Sequence, residues 1–139
     1  MKSRVLMATG VVFIAALALM TSNASAHHSF SAEFDAKKPV KLTGVITRMD
    51  WVNPHSWLYI DVKEPDGKVV NWKLEFGLPN ALYRRGWKQK DLPKGVAVTV
   101  TGYRAKDGTA TANASTVTLA DGRRLFAGSS GQGAPPPEQ

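Results

Sequence analysis

The sequence predicts a mainly β fold of five strands and one short helix. Three observations carry that expectation. Five runs rich in β-branched residues are separated by Gly, Pro and Asn turn signals. Two of the runs alternate apolar and polar residues, the period of a strand with one buried face. The single helical stretch falls between the third and fourth runs, where an oligonucleotide- and oligosaccharide-binding layout carries its helix. The expected fold is therefore a small five-stranded OB-fold-like barrel, although a two-layer sheet-and-helix roll would give a similar string.

The first strand is expected over 42–51 (LTGVITRMDW), and Asn53-Pro54 breaks it, because the residue before proline avoids the helical region. The second, 57–63 (WLYIDVK), sets Leu58, Ile60 and Val62 on one face and Trp57, Tyr59 and Asp61 on the other. Pro65-Asp66-Gly67 is a turn in which proline presets the first corner and glycine accepts positive φ. The third strand, 69–76 (VVNWKLEF), alternates again, so the two form a hairpin. Residues 78–85 (LPNALYRR) read as a short helix, with Pro79 in its first turn and Gly86 capping its end. Leu92-Pro93-Lys94-Gly95 then turns into a fourth strand at 96–103 (VAVTVTGY), with Val96, Val98 and Val100 on one face. Lys106-Asp107-Gly108 turns into a fifth, 109–119 (TATANASTVTL), with room for a bulge, and Asp121-Gly122-Arg123 ends the body with a turn and a short extension.

Four parts are expected along the chain: a signal peptide at 1–26, a polar lead-in segment at 27–41, the barrel at 42–127 and a disordered tail at 128–139. Lys2 and Arg4 form a basic start, Val5 to Met20 an uncharged, largely apolar run, and Ala24-Ser25-Ala26 a small-x-small cleavage site. An apolar helix of this length spans about 24 Å, short of the roughly 30 Å hydrocarbon core, so no stable membrane anchor is expected after cleavage. Removing 26 of the 139 residues leaves 113, with His27 first, in a periplasmic or secreted protein. The formal charge falls from +7 to +5 as Lys2 and Arg4 leave. The densest basic stretch is Arg84, Arg85, Lys88, Lys90 and Lys94; export argues against a nucleic-acid partner for it. The chain has no cysteine, which excludes disulfides, thiol chemistry and thiolate metal ligands.

Cleavage after Ala26 makes His27 a chelating first residue. Its α-amine and imidazole Nδ1 would bind one ion, and an imidazole from His28 or His55 would complete an all-nitrogen set suited to Cu(II) or Ni(II). Cleavage after Ala24 instead leaves Ser25-Ala26-His27, which also binds Cu(II) through amine, amides and imidazole. Against both stands a frayed end with no ligand role. His55 lies in WVNPHSW (51–57), flanked by Trp51 and Trp57, whose rings would stack on a ligand, wall a metal or pack the barrel end. Tyr59 shares the outer hairpin face with Trp57 and extends a candidate stacking surface. No catalytic pair, nucleophile elbow, zinc-protease helix or phosphate loop is present, so an enzyme is weakly supported and no catalytic residue is assigned.

The segments HHSF (27–30), EFD (33–35), LTGVI (42–46), WVNPHSW (51–57), Trp72, RRGW (84–87), LPKGVAVTVTGYRAKDG (92–108) and DGR (121–123) together resemble a family of small exported proteobacterial proteins known only as a domain of unknown function. The resemblance runs from His27 to about Phe126. It implies an exported β-barrel-like domain and no established activity, and it marks His27, His28 and His55 as motif positions. Two function classes follow. One is a non-enzymatic binding module holding copper through His27 with His28 or His55, with Trp51 and Trp57 as walls. The other is a metal-free interaction or small-ligand module on the hairpin's aromatic face, with a protein partner possible. An oxidative copper enzyme is a third, weaker class.

Overall fold

The computed structural model describes residues 30–128. It is mainly β, a six-stranded sheet with few short helical pieces. In chain order these are α1 (Phe30–Glu33), β1 (Phe34–Asp50), β2 (Trp57–Lys63), β3 (Val69–Glu75), α2 (Pro79–Arg84), a 3₁₀ turn (Gln89–Asp91), β4 (Ala97–Ala105), β5 (Thr111–Thr118) and β6 (Arg124–Phe126). Neighbours in the sheet run β3-β2-β1-β4-β5-β6, all antiparallel, and β3 also pairs in parallel with β5 through Lys73–Thr111, Leu74–Ala112 and Glu75–Asn113.

β1 organises the sheet. Straight, its 17 residues would span roughly 55 Å, about three times an ordinary strand. It instead serves two neighbours in succession: its N-terminal part pairs with β4, from Phe34 to Val45, and its C-terminal part with β2, from Gly44 to Asp50. A register shift between Ile46 and Arg48 leaves Thr47 extra, and a second irregularity lies between Phe34 and Pro39. Such bulges bend a strand and increase its twist. Gly44, where the two pairings overlap, lets β2 approach closely: a Cβ there would lie 2.5 Å from the Asp61 carbonyl oxygen.

The alternation read from the sequence sets the core. Leu58, Ile60 and Val62 of β2 and Trp72 and Leu74 of β3, with Phe76 just beyond it, are buried against Leu42 and Ile46, Val98 and Val100, and Ala112, Ala114 and Val117. α2 drops Leu82 into this cluster, and Trp87 follows it. The helix ends as its glycine requires. Gly86 has φ +97°, its N–H reaches the Tyr83 carbonyl, and the Trp87 N–H reaches back to Leu82, the paired bonds of a Schellman cap.

The structure differs from the sequence expectation in four places. β1 begins at Phe34, so half of the expected lead-in segment is strand; its lysines are exposed and its pairing to β4 is made by backbone. The 3₁₀ turn was not foreseen, and neither was α1. The short extension after Asp121-Gly122-Arg123 is a sixth strand, paired to β5. The signal segment, His27, His28 and residues 129–139 lie outside the described residues.

Candidate functional site

The turn from β1 to β2 carries His55 to the end of β3. The β2–β3 ladder continues past Trp57: the Ser56 N–H donates to the Gly77 carbonyl at 3.1 Å and the Phe76 N–H to the Ser56 carbonyl at 2.8 Å. His55 is thereby held beside Glu75, with Nδ1 3.7 Å from Oε1. Both side chains are largely buried, at 17% and 11% exposure. His55 Nδ1 itself is buried and has no hydrogen-bond partner among the described residues.

Glu75 is held from the other side by β5. Register places Trp57 opposite Glu75 and Glu75 opposite Asn113, and Asn113 is opposite Tyr103 of β4. Opposed residues present their side chains on one face of a sheet. The face that Trp57, Glu75, Asn113 and Tyr103 share is the outer one, since Leu58, Leu74 and Ala112 fill the core. The Asn113 amide donates to Glu75 Oε1 at 3.1 Å, while its own Oδ1 is buried with no hydrogen-bond partner among the described residues. Two more orphaned atoms are Ser56 Oγ, next to His55, and Arg104 Nε, elsewhere on β4. Buried polar atoms are paired in the great majority of cases, so His55 Nδ1 and Asn113 Oδ1, on the two residues that approach Glu75, make this place the candidate site.

The aromatic residues divide. Trp57 and Tyr59 lie on the outer hairpin face as expected, but each ring is covered by a cation: Lys73 Nζ sits 4.0 Å from the Trp57 centroid and the Arg48 guanidinium 3.9 Å from that of Tyr59. Trp51 turns the other way and stacks on Tyr83 of α2, centroids 5.3 Å apart. Trp51 and Trp57, expected to wall one site, take different partners because the turn between them reverses the chain. Trp57 also lines a cleft of about 500 Å³ with Phe34, Ala105, Asp107 and Thr111. Hydrogen bonds from the Thr109 backbone N–H and hydroxyl hold the Asp107 carboxyl below its ordinary range.

α1 lines one side of this cleft through Ala32 and Glu33. The Lys106 N–H donates to the Glu33 carbonyl at 2.9 Å and its ammonium to that of Ser31. The Phe30 ring packs on Phe34 and edge-on against Tyr103, at centroid distances of 5.8 and 5.5 Å. The chain thus enters the described structure at the Tyr103 end of the row that leads to Glu75 and His55.

Sequence reading missed Glu75 and Asn113. Glu75 lies at the end of β3 on the face opposite Trp72 and Leu74, a position that alternation alone does not mark as a site. The available signal was Asn113, an amide inside a strand of small residues, where Asn is disfavoured unless its side chain is used. Among the described residues no three His, Asp or Glu side chains gather as a complete metal site.

A family model covers residues 15–114 of the chain. The chain belongs to DUF6152, a family of unknown function. No curated protein and no solved structure matches it. Membership in DUF6152 therefore assigns no activity, and the site has to be read from its own chemistry.

Proposed function

We propose that this member of DUF6152 is an exported, periplasmic or secreted, non-enzymatic binding module that holds one Cu(II) ion at a processed N-terminus. Residues 1–26 are removed as a signal peptide, His27 supplies its α-amine and Nδ1, and His55 supplies a third nitrogen, with His28 as the competing donor. The observation that carries this reading is His55 Nδ1, a buried ring nitrogen with no hydrogen-bond partner among the described residues, 3.7 Å from a Glu75 carboxylate oxygen. All-nitrogen and mixed nitrogen–oxygen sets of this kind suit tetragonal Cu(II).

Reach supports it too. Glu75 lies two strands from Tyr103 along the shared row, roughly 10 Å at sheet spacing. Phe30 packs on Tyr103, and the three residues from His27 to Phe30 extend up to about 10 Å. An extended segment of three residues is of the same order as that separation, which supports the reading.

We read the body as an OB-fold-like five-stranded barrel with β6 added. The parallel β3–β5 pairing supports this, since it joins the two ends of the order β3-β2-β1-β4-β5, and α2 falls between β3 and β4. The residues before β2 and between β4 and β5 then flank the outer face bearing His55, Glu75 and Trp57. A metal-free small-ligand module is the second reading, favoured by the cleft beside Trp57.

The test is a Cu(II) titration, followed by EPR, of protein exported and processed by a bacterial host, with intact mass fixing its first residue. The copper reading predicts one ion per chain with an axial, nitrogen-rich spectrum, and affinity at least about tenfold lower in His55→Ala. The metal-free reading predicts indifference to that substitution.

A further inference from the structure

We infer that the face built by the β1–β2 turn, α2 and the 3₁₀ turn docks on an anionic lipid bilayer. The contact is peripheral, made by Trp51, Val52 and Tyr83 with Arg84, Lys88 and Lys90 beside them, and it is independent of the copper reading. Four large apolar or aromatic side chains are exposed among the described residues: Val45, Val52, Val69 and Tyr83. Singly such residues are ordinary, but two of them meet here. The Trp51 ring stacks on Tyr83 at 5.3 Å, which fastens the turn carrying Val52 to α2. Val52 is 49% exposed and takes no part in the core, and Asn53 and Pro54 after it are exposed as well. Trp and Tyr, each with an apolar body and a polar edge, are the side chains that settle at the headgroup level of a bilayer.

Charge decides what this face meets. Residues 78–94 carry five cations, Arg84, Arg85, Lys88, Lys90 and Lys94, against one carboxylate, Asp91. Asp91 is already answered from outside the segment, by Arg123 at 2.8 Å. The Gln89 amide donates to the Tyr83 hydroxyl at 3.1 Å and so ties the 3₁₀ turn, with Lys88 and Lys90 adjoining Gln89 in the chain, to the stacked rings. Arg84 and Lys90 are exposed and have no side-chain hydrogen bond or ion pair among the described residues. On the other side of the rings, residues 51–56 hold no carboxylate, and Asp50 before them is paired with Arg48 at 3.2 Å. The surface is therefore apolar and aromatic at its centre and cationic beside it.

A bilayer fits it better than an acidic protein segment. Recognition of protein carboxylates favours arginine forks held in one geometry. The arginines of this region held in that way are engaged within their own chain: Arg85 lies over Phe126 and donates to the Gly128 carbonyl, and Arg123 bonds Asp91 and Asp121. The exposed cations that remain sit on short turns, and a plane of headgroups attracts such charges whatever their geometry, about fivefold in partitioning for each.

The experiment measures sedimentation of the exported chain with vesicles of phosphatidylcholine alone and of phosphatidylcholine mixed with phosphatidylglycerol. Wild type is expected to bind the anionic vesicles at least about tenfold better, with binding fading as salt rises. The combined variant Arg84→Gln, Lys88→Gln, Lys90→Gln is expected to lose about 100-fold, and Val52→Ser about three- to tenfold. All four positions are exposed, so circular dichroism should show each variant folded. The chain has no cysteine, so Val52→Cys or Val69→Cys takes a fluorescent probe at one place. Val69 is 63% exposed and pairs with Lys63, at the far end of β2 from Val52. On anionic vesicles the probe at 52 is expected to enter a water-poor environment and the probe at 69 to stay in water. Equal binding to both kinds of vesicle, or two probes that respond alike, would overturn the inference. Binding of polyglutamate without binding of anionic vesicles would overturn it too, and would assign the face to an acidic protein partner.

Discussion

Gly102→Ala tests the close approach of β4 to β5 on which Asn113 depends. A Cβ at Gly102 would lie 2.1 Å from the Asn113 carbonyl oxygen and 3.1 Å from the Ala114 Cα. Carbon–oxygen contacts do not close below about 3.3 Å, so the strands would have to part by about 1 Å. Ladder bonds near 2.9 Å would then stretch well past the useful limit of about 3.2 Å. Losing two of them costs about 1–3 kcal/mol, and the stiffer unfolded chain of alanine offsets about 0.4–1 kcal/mol. The expected net loss is about 1–2 kcal/mol, a fall in Tm of roughly 5–15 °C for a domain of this size. Thermal and urea unfolding would measure it, and hydrogen exchange would locate it at the β4–β5 amides. Gly67→Ala is the companion: φ is +86° there with nothing within 4 Å, so it should lose stability through backbone strain alone and leave β4–β5 exchange unchanged. A Gly102→Ala protein within about 0.5 kcal/mol of wild type, with normal β4–β5 exchange, would refute the close approach.

Two further predictions concern the frame. Trp87 is buried, and its indole N–H donates to the Phe126 carbonyl at 2.8 Å, tying the segment after α2 to β6; Trp87→Phe should cost about 1–3 kcal/mol in chemical unfolding, and a neutral result would remove that tie. Burial opposes ionisation of Asp91, but the hydrogen bonds from the Arg123 side chain and the Lys88 backbone prevail and hold its pKa below the ordinary value. A depressed folded pKa contributes stability that is full above about pH 4 and is lost as the pH falls through the folded value. Asp91→Asn should therefore be less stable than wild type by about 1–2 kcal/mol at pH 7, with the gap narrowing on acidification below pH 4; a gap independent of pH would contradict the ion pair's role.

What the sequence made legible was local. The β2–β3 hairpin follows from two alternating runs around Pro65-Asp66-Gly67, and the end of α2 from Gly86, because both depend on neighbours in the chain. The reach of β1 back to Phe34 was hidden: Asp35, Lys37, Lys38 and Lys41 break the alternation, and the strand is made by backbone pairing to residues some sixty positions away. The same limit hid half of the site. His55 was visible as a histidine in a turn, but Glu75 and Asn113 meet only through the β3–β5 pairing, 38 positions apart. Trp51 and Trp57 show the opposite case. Six residues apart, they looked like two walls of one site, yet one stacks on Tyr83 and the other lies under Lys73. The orphaned Nδ1 of His55 has no sequence signature at all; it emerges only when the strands are assembled.

The central claim is that cutting after Ala26 creates the copper site. Its most direct test is the Cu(II) dissociation constant of the chain that begins at His27, measured against the same chain with Ala26 retained in front. The retained residue removes the amine–imidazole chelate of a first-position histidine while leaving His55, Glu75 and the sheet untouched. Affinity is expected to fall and the EPR spectrum to change, since the amine–imidazole ring of a first-position histidine gives way to a chelate that must deprotonate a backbone amide. Equal affinity and an identical spectrum for the two chains would show that the processed histidine is not a ligand, and would contradict the account.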